Sequence, residues 1–197
     1  MIMDFNVKLL KRICETPGAP GHEKQIRELV IKTIKPLVDE HHIDNLGNVV
    51  SIKRGVGNGD EKVMVAAHMD EIGFVVTHIE DGGFVRFHTL GGFDPKTLTA
   101  QRVRIHGKKE TPGVMGTKPI HVMAAEERSK MPKATDYFID TGMKREELEH
   151  FIKVGDPITW ERELVEMGDC VNCKSIDNRV SDFYFNRSIK EVERHSL

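Results

Sequence analysis

The sequence has few cysteines, few aromatic residues and no excess of charge of either sign. Three of its 197 residues are cysteines. So small and odd a number argues against a disulfide framework and favours a reduced, cytosolic protein. Twenty-nine basic residues nearly balance 31 acidic ones, and the formal net charge is -2. A balanced charge gives no reason to expect nucleic-acid binding.

Long apolar runs are also lacking. None approaches the roughly 18 residues that a membrane-spanning helix needs. The opening "MIMDFNVKLLKRICETPG" lacks the apolar core and small-residue cleavage site of a signal peptide, so no membrane partner and no leader are expected. With 39% hydrophobic residues the chain can bury a core, either as one ordinary domain or as two small ones.

The first part of the chain has a helical period. The spacing of Val7, Leu10, Ile13 and Cys14 predicts a helix that "TPGAPG" ends, with Cys14 in the core. A second apolar face predicts a helix over about residues 23–35, which Pro36 ends.

The period then changes to that of strands. "NLGNVVSIKR" alternates between apolar and polar residues, and "KVMVAA" is a continuous apolar run. Such a run is typical of a strand that is buried on both faces of a helix-covered sheet. Helices followed by strands in this order predict a layered α/β domain.

A β-rich segment follows. "IGFVVTHIE", "GFVRFHTL", "QRVRIHG" and "GVMG" are short strand candidates separated by Gly, Asp and Pro, which predicts a small barrel-like unit. After Gly168 the pattern becomes helical, with a predicted helix over "IDNRVSDFYFNRSIKEVER". We therefore expect an α/β domain from residues 1–70 and 164–197, interrupted by an inserted β-rich domain at 71–163.

His68 and Asp70 form the first candidate site. They follow the predicted buried strand, and residues two apart in an extended segment point to the same side. A carboxylate that accepts one ring N–H leaves the other nitrogen free for a metal ion. The alternative is a partly buried histidine beside an ordinary surface acid.

"KSIDNRV" supplies the second candidate site. Asp177 either caps the helix that follows or bridges two divalent metal ions. Asn178 and Arg179 follow it directly, and His121 lies in the loop "GTKPIH"; all three are further candidate site residues. Cys170 and Cys173 have the spacing of half a zinc site or a redox pair, or are two incidental thiols.

Taken together, the motifs resemble those of the tetrahedral aminopeptidases, di-metal exopeptidases that include glutamyl and deblocking enzymes, some of them labelled cellulase or endoglucanase. The matching segments occur in the family's order: "ETPGAPGHE", "DNLGNVV", "AAHMDEIGFVV", "LGGFDPKTLTAQRVRIHG", "PGVMGTKPIH", "VGDPITW" and "KSIDNRV". The resemblance covers essentially the whole chain.

The resemblance implies a zinc-peptidase-like α/β domain interrupted by a β-rich oligomerisation domain. It implies two zinc or cobalt ions, with His68 as a ligand, Asp177 as the bridging carboxylate and Asp70 as the catalytic acid beside the histidine. It also implies peptide substrates and a homo-oligomer, commonly dimers that build a dodecamer. The metal ions of such enzymes polarise the scissile carbonyl and generate a hydroxide nucleophile.

The family's pattern continues with a Glu-Glu pair, a further acidic ligand and a late histidine, whereas this sequence ends at Leu197 before them. We therefore expect a catalytically incomplete chain, in which the apolar side chains of "KVMVAA" and of the last helix are partly exposed. Two alternatives are a non-catalytic oligomerisation or binding protein with a vestigial metal site, and a thiol-redox or zinc module at Cys170 and Cys173.

Overall fold

The computed structural model describes residues 7–55 and 62–194, and the chain divides into two compact units. The first unit joins the residues up to Glu71 with those from Glu163 onward; we call it the discontinuous unit. The second, the barrel unit, runs from Ile72 to Arg162. No helix in the described ranges is both long and apolar enough to cross a membrane.

The elements follow one another in the order helix, helix, ten strands interspersed with two short helices, and helix. The helices are α1 (Val7–Glu15), α2 (Lys24–Ile34), α3 (Ala125–Arg128), α4 (Arg145–Leu148) and α5 (Ile176–Arg194). The strands are β1 (Glu40–Ile43), β2 (Val49–Ile52), β3 (Gly73–Ile79), β4 (Val85–Leu90), β5 (Arg102–His106), β6 (Glu110–Gly116), β7 (Phe138–Asp140), β8 (Pro157–Trp160), β9 (Val165–Met167) and β10 (Cys170–Asn172).

Three helices build the core of the discontinuous unit. Both predicted N-terminal helices are present, and α2 ends at Ile34, where a 3-10 turn containing Pro36 follows because proline has no N–H to continue the ladder. Full burial of an aliphatic or Phe side chain stabilises the fold by about 1.5–3 kcal/mol. The buried residues of this core are Leu10, Ile13, Cys14, Ile26, Leu164 and Phe183.

Two hairpins complete this unit. β1 pairs antiparallel with β2, from Glu40 opposite Ile52 to Ile43 opposite Val49. The Asp44 carboxylate accepts from the backbone N–H groups of Leu46 and Asn48 and so closes the turn between these strands. β9 pairs antiparallel with β10 across a turn that contains Gly168.

The predicted buried strand at "KVMVAA" is wrong. Residues 62–70 form neither helix nor strand, and Val63, Met64 and Val65 are 90%, 89% and 59% exposed. A strand buried on both faces needs hydrogen-bonded neighbours at its edges and side chains above and below. Within the described ranges no strand pairs with this segment, and every pairing is antiparallel.

The barrel unit confirms the predicted barrel-like β-rich fold. Six antiparallel strands close in the order β3-β4-β7-β6-β5-β8, and closure leaves no free sheet edge. Inward and outward residues alternate along β6, as the sequence pattern predicts for a strand with one buried face. Phe74 lies at the centre, with its ring centroid 4.5 Å from that of Phe93 and 5.1 Å from those of Phe87 and Trp160.

Candidate functional site

His68 lies between two carboxylates. Its Nδ1 is 2.8 Å from Oδ1 of Asp70, and its Nε2 is 3.3 Å from Oδ1 of Asp177. Asp70 is two residues further along the same non-helical segment, whereas Asp177 is brought in by the start of α5. When the Asp70 carboxylate accepts the Nδ1–H, the lone pair of Nε2 faces Asp177.

The charges around the imidazole ring favour a cation. Burial lowers the pKa of His68, but the hydrogen bonds with Asp70 and Asp177 raise it more, and the net pKa lies above its ordinary value. Without a cation, the Nε2 lone pair and the Asp177 carboxylate would face each other as two acceptors. A proton or a metal ion at this position relieves that repulsion.

The separation of the two acceptors matches a shared metal ion. Ligands that each lie about 2.0–2.1 Å from a tetrahedral zinc ion are about 3.3 Å apart. An imidazole and a carboxylate also suit zinc and neighbouring divalent metals. The side chain of His68 is 52% exposed and that of Asp177 is 97% exposed, so both donors can be reached from solvent.

The described residues supply only part of a metal site. A catalytic zinc ion takes about three protein ligands and a water. In the described parts of the chain no group of three or more His, Cys, Asp or Glu side chains is arranged to hold a metal ion. His68 and Asp177 therefore provide two donors, with Asp70 occupied on the far side of the ring.

Arg179 organises the backbone around these residues. Its side chain is fully buried and donates from Nε to the carbonyl oxygen of Met69 at 2.8 Å. Its Nη1 donates to the carbonyl oxygens of Ile13, at 2.9 Å, Cys14, at 3.2 Å, and Thr16. One guanidinium thus ties the His68–Asp70 segment to the end of α1, which explains why a planar donor with several N–H groups is needed here.

Glu71 is the counter-charge of this cluster. Both carboxylate oxygens lie 2.7 Å from Nζ of Lys174, and Oε1 lies 3.6 Å from Nη2 of Arg179. The Ser175 hydroxyl and the backbone N–H of Gly18 also donate to the carboxylate. Burial lowers the pKa of Lys174, and the nearby Glu71 offsets only part of that effect. Two cations and one anion are therefore buried beside the candidate site.

The remaining candidates have different surroundings. Asn178 accepts a hydrogen bond from the Ser181 hydroxyl, and its peptide bond with Asp177 is cis. Asp182, one turn further along α5, has its pKa raised to about 6 by burial, although Arg179 and His68 act to lower it. His121 is exposed in a 3-10 turn of the barrel unit, Ile120–Val122, and is not part of the discontinuous unit.

Sequence reasoning missed Glu71, Lys174 and Asp182. Charged residues are rarely buried, so a sequence pattern by itself places them on the surface. The only available signal was their position, since Glu71 follows Asp70 directly and Lys174 precedes "SIDNR". Arg179 was a candidate site residue; its contacts are with backbone carbonyls and with Glu71.

Comparison with known proteins identifies the lineage. The sequence profile of the M42 glutamyl aminopeptidases matches residues 47–197. This chain belongs to that family. A putative aminopeptidase of Acetivibrio thermocellus is 37% identical over 187 residues, which are 94% of this chain and 54% of that protein.

Comparison with solved structures gives the same result. The TET aminopeptidase of a marine sediment archaeon of the Thaumarchaeota superposes with a TM-score of 0.90 at 32% identity, over 97% of this chain and 55% of that one. The TET1 peptidase of Pyrococcus horikoshii superposes with a TM-score of 0.83 at 30% identity, over 97% and 57%. The predicted family resemblance is confirmed, and the M42 chain described here spans about half the length of these relatives.

Proposed function

We propose that this chain carries part of the site of a metal-dependent aminopeptidase that removes residues from the free N-terminus of peptides. The observation that carries the proposal is the 3.3 Å separation between Nε2 of His68 and Oδ1 of Asp177, with Asp70 on the other ring nitrogen. Membership of an aminopeptidase family supports the same reaction class.

In this proposal His68 and Asp177 hold a divalent ion, zinc or cobalt, and Asp70 fixes the tautomer and orientation of the imidazole. Ions bound at such a centre would polarise the scissile carbonyl and lower the pKa of a bound water. Arg179 and Glu71 hold the backbone that carries these side chains. Because the described residues offer two donors, we expect the 197-residue chain to bind metal weakly and to turn over substrate at or near background.

Cobalt titration tests the metal site. Added Co²⁺ should give visible absorption bands in the wild-type chain, and His68→Ala and Asp177→Ala should remove them. His42→Ala, which replaces an exposed histidine of β1 in the same unit, is the matched control and should keep them. Bands that persist unchanged in both site variants would place the ion elsewhere and end the proposal for these residues.

An aminoacyl-anilide assay with Zn²⁺ or Co²⁺ tests the activity. We expect the purified chain of verified mass to hydrolyse the anilide no faster than the metal ion alone. Metal-dependent turnover that His68→Ala abolishes would contradict the proposed incompleteness and would support the peptidase assignment. The two experiments are independent, since a site can bind cobalt without turning over substrate.

Self-association through the barrel unit is a second part of the proposal. The TET1 peptidase of Pyrococcus horikoshii can assemble into a tetrahedron or a large octahedral shell. In this chain Ile120, Val122 and Met131 are 71%, 56% and 64% exposed along one connection of the barrel unit, and exposed apolar side chains favour an interface. A non-catalytic oligomeric protein is the alternative function that this surface would support.

Light scattering after size exclusion tests that part. We expect a mass well above the 22.3 kDa of one chain, and a lower mass for an Ile120→Asp, Val122→Asp variant. Val154→Asp, at an equally exposed valine of the same unit, is the control that should leave the mass unchanged. A wild-type mass of 22.3 kDa would contradict self-association.

We also propose a cytosolic location, which is consistent with three free thiols.

A further inference from the structure

Cys170 and Cys173 do not form the pair that their spacing suggests. β10 runs from Cys170 to Asn172 in an antiparallel hairpin with β9. Cys173 directly follows the last residue of this strand. Cys170 is exposed, whereas Cys173 packs against the core of the discontinuous unit.

Cys173 instead meets Cys14, which is distant in the sequence. Cys14 is fully buried in the last turn of α1, and Cys173 packs against the same apolar cluster. Each thiol is the largest influence on the pKa of the other, so the two side chains are neighbours within this cluster.

Neighbouring contacts hold both cysteines in place. The guanidinium of Arg179 donates to the carbonyl oxygen of Cys14 at 3.2 Å. The Glu15 carboxylate, next in the chain, accepts from the backbone N–H of Leu164 at 2.7 Å and so ties α1 to the β9–β10 hairpin. Cys173 precedes Lys174, whose ammonium is fixed by Glu71. These contacts position the backbone on both sides of the thiol pair, and none of them is made by a thiol group.

The two thiols differ in reactivity. The neighbouring Cys14 thiol and the nearby Lys174 act to lower the pKa of Cys173, and the net pKa is below its ordinary value although burial and Glu15 oppose the shift. The neighbouring Cys173 thiol and burial raise the pKa of Cys14. The thiolate is the attacking form of cysteine, and Cys173 is also the partly accessible member of the pair.

We propose that Cys14 and Cys173 are a redox-sensitive dithiol that a low-molecular-weight disulfide, such as glutathione disulfide, converts into an intrachain disulfide. The Cys173 thiolate attacks one sulfur of the external disulfide, forms a mixed disulfide and releases one thiolate. Cys14 gives its proton to that thiolate, attacks the Cys173 sulfur and releases the second. Two protein thiols are oxidised, and one external disulfide is reduced to two thiols.

Oxidation would act beside the candidate metal site. Lys174 and Ser175, which follow Cys173, hold the Glu71 carboxylate next to Asp70. A bond from Cys173 to α1 would fix the position of this segment. Transient, redox-responsive disulfides are the kind found in reducing compartments. The inference goes beyond the proposed peptidase role and stands whether or not that role holds.

Peptide mapping after treatment with glutathione disulfide tests the proposal. Tryptic cleavage should release residues 13–24 linked to residues 163–174, with the bond at Cys173, and an excess of reduced thiol should reverse it. The linked peptide should form at the wild-type level in Cys170→Ser and be lost in Cys173→Ser, a matched replacement three residues away. Folding of each variant is checked by far-ultraviolet circular dichroism.

Two results would overturn the proposal. One is a Cys170→Ser chain, folded as the wild type, in which glutathione disulfide gives no bond between Cys14 and Cys173. The other is a bond from Cys14 to Cys170 that forms equally well in wild type and in Cys173→Ser. Because Cys170→Ser changes only an exposed side chain, its result is informative even if a replacement of the buried Cys14 prevents folding.

Discussion

At the scale of single residues, the buried cluster of Glu71, Lys174 and Arg179 depends on its one anion. Glu71 is 3% exposed, Lys174 7% and Arg179 0%. Removing one partner of a buried ion pair typically costs about 3–5 kcal/mol, because the charge that is left has neither solvent nor counter-ion. An ion pair on the surface is worth at most about 1 kcal/mol.

Glu71→Gln should therefore lower the free energy of unfolding by about 3–5 kcal/mol, since it leaves two buried cations without a counter-charge. Urea unfolding followed by circular dichroism measures the change. Glu28→Gln, which breaks only the exposed pair with Lys24, should change stability by less than about 0.5 kcal/mol. Equal effects of the two replacements would show that the buried cluster is not an energetic unit.

Asp182 gives a prediction on pH. Burial raises its pKa in the folded protein to about 6, from an ordinary value of 3.8, so the folded state holds the proton more tightly than the unfolded state. The Asp182 contribution to stability is then largest below pH 3.8 and falls as the pH rises to about 6. Oδ2 of Asp182 also has no hydrogen-bond partner among the described residues.

Asp182→Asn should remove this loss and raise the free energy of unfolding at pH 8 by at most about 3 kcal/mol. The gain should be small at pH 4 and should grow up to about pH 7. Urea midpoints at several pH values measure it, with Asp169→Asn, at an exposed carboxylate of the same unit, as the control. A difference between variant and wild type that does not change with pH would refute the assigned shift.

The sequence predicts single residues well only where a local pattern identifies them. Cys14 belongs to a helical apolar face, and its prediction as a core residue is confirmed. Glu71 and Lys174 have no such pattern, because the residue type of a charged side chain does not show whether it is buried or exposed. The ligand roles of His68 and Asp177 were inferred from a family resemblance and stay predictions.

At the scale of elements, the sequence predicts those helices and strands that local patterns determine, and it fails for those that depend on distant contacts. The helices α1 and α2 and most barrel strands were predicted, because periodicity and turn residues act within a few positions. β7 has three residues, too few for an alternation to be visible, although it closes the barrel between β4 and β6. The prediction of a buried strand at "KVMVAA" was wrong for a different reason, because burial on both faces requires strands and helices that are distant in the sequence.

A lysine pair at Val63 and Val65 tests that correction. Both side chains are already exposed, so Val63→Lys, Val65→Lys should change the free energy of unfolding by no more than about 0.5 kcal/mol. Val103→Lys, which places one ammonium group at a fully buried position of β5, should destabilise the barrel unit by several-fold more. A large loss in the Val63, Val65 variant, measured by urea unfolding, would mean that the segment is buried after all.

At the scale of the whole molecule, the two units have separate cores. Trp160 is the only tryptophan, and it lies in the core of the barrel unit. Its fluorescence therefore reports unfolding of that unit. All three long helices, α1, α2 and α5, belong to the discontinuous unit, so unfolding of that unit dominates the loss of circular dichroism at 222 nm.

Leu10→Ala should lower the urea midpoint of the helical signal, because emptying a buried leucine site costs about 2–5 kcal/mol, and leave the Trp160 midpoint unchanged. Phe74→Leu should lower the Trp160 midpoint and leave the helical one unchanged. Parallel urea titrations with both probes measure the four midpoints. Both signals shifting together in either variant would show that the units unfold as one.

The discontinuous unit has a consequence for the order of events during synthesis. Leu10 and Ile13 leave the ribosome first, yet the core residues that cover them, Leu164 and Phe183, emerge only after the entire barrel unit. The barrel unit is continuous in sequence, so it can complete its core before α1 and α2 have the residues that cover their apolar faces. Ribosome-bound chains halted once Arg162 has left the exit tunnel should thus hold a folded barrel together with two helices whose apolar faces are uncovered, a substrate for chaperones.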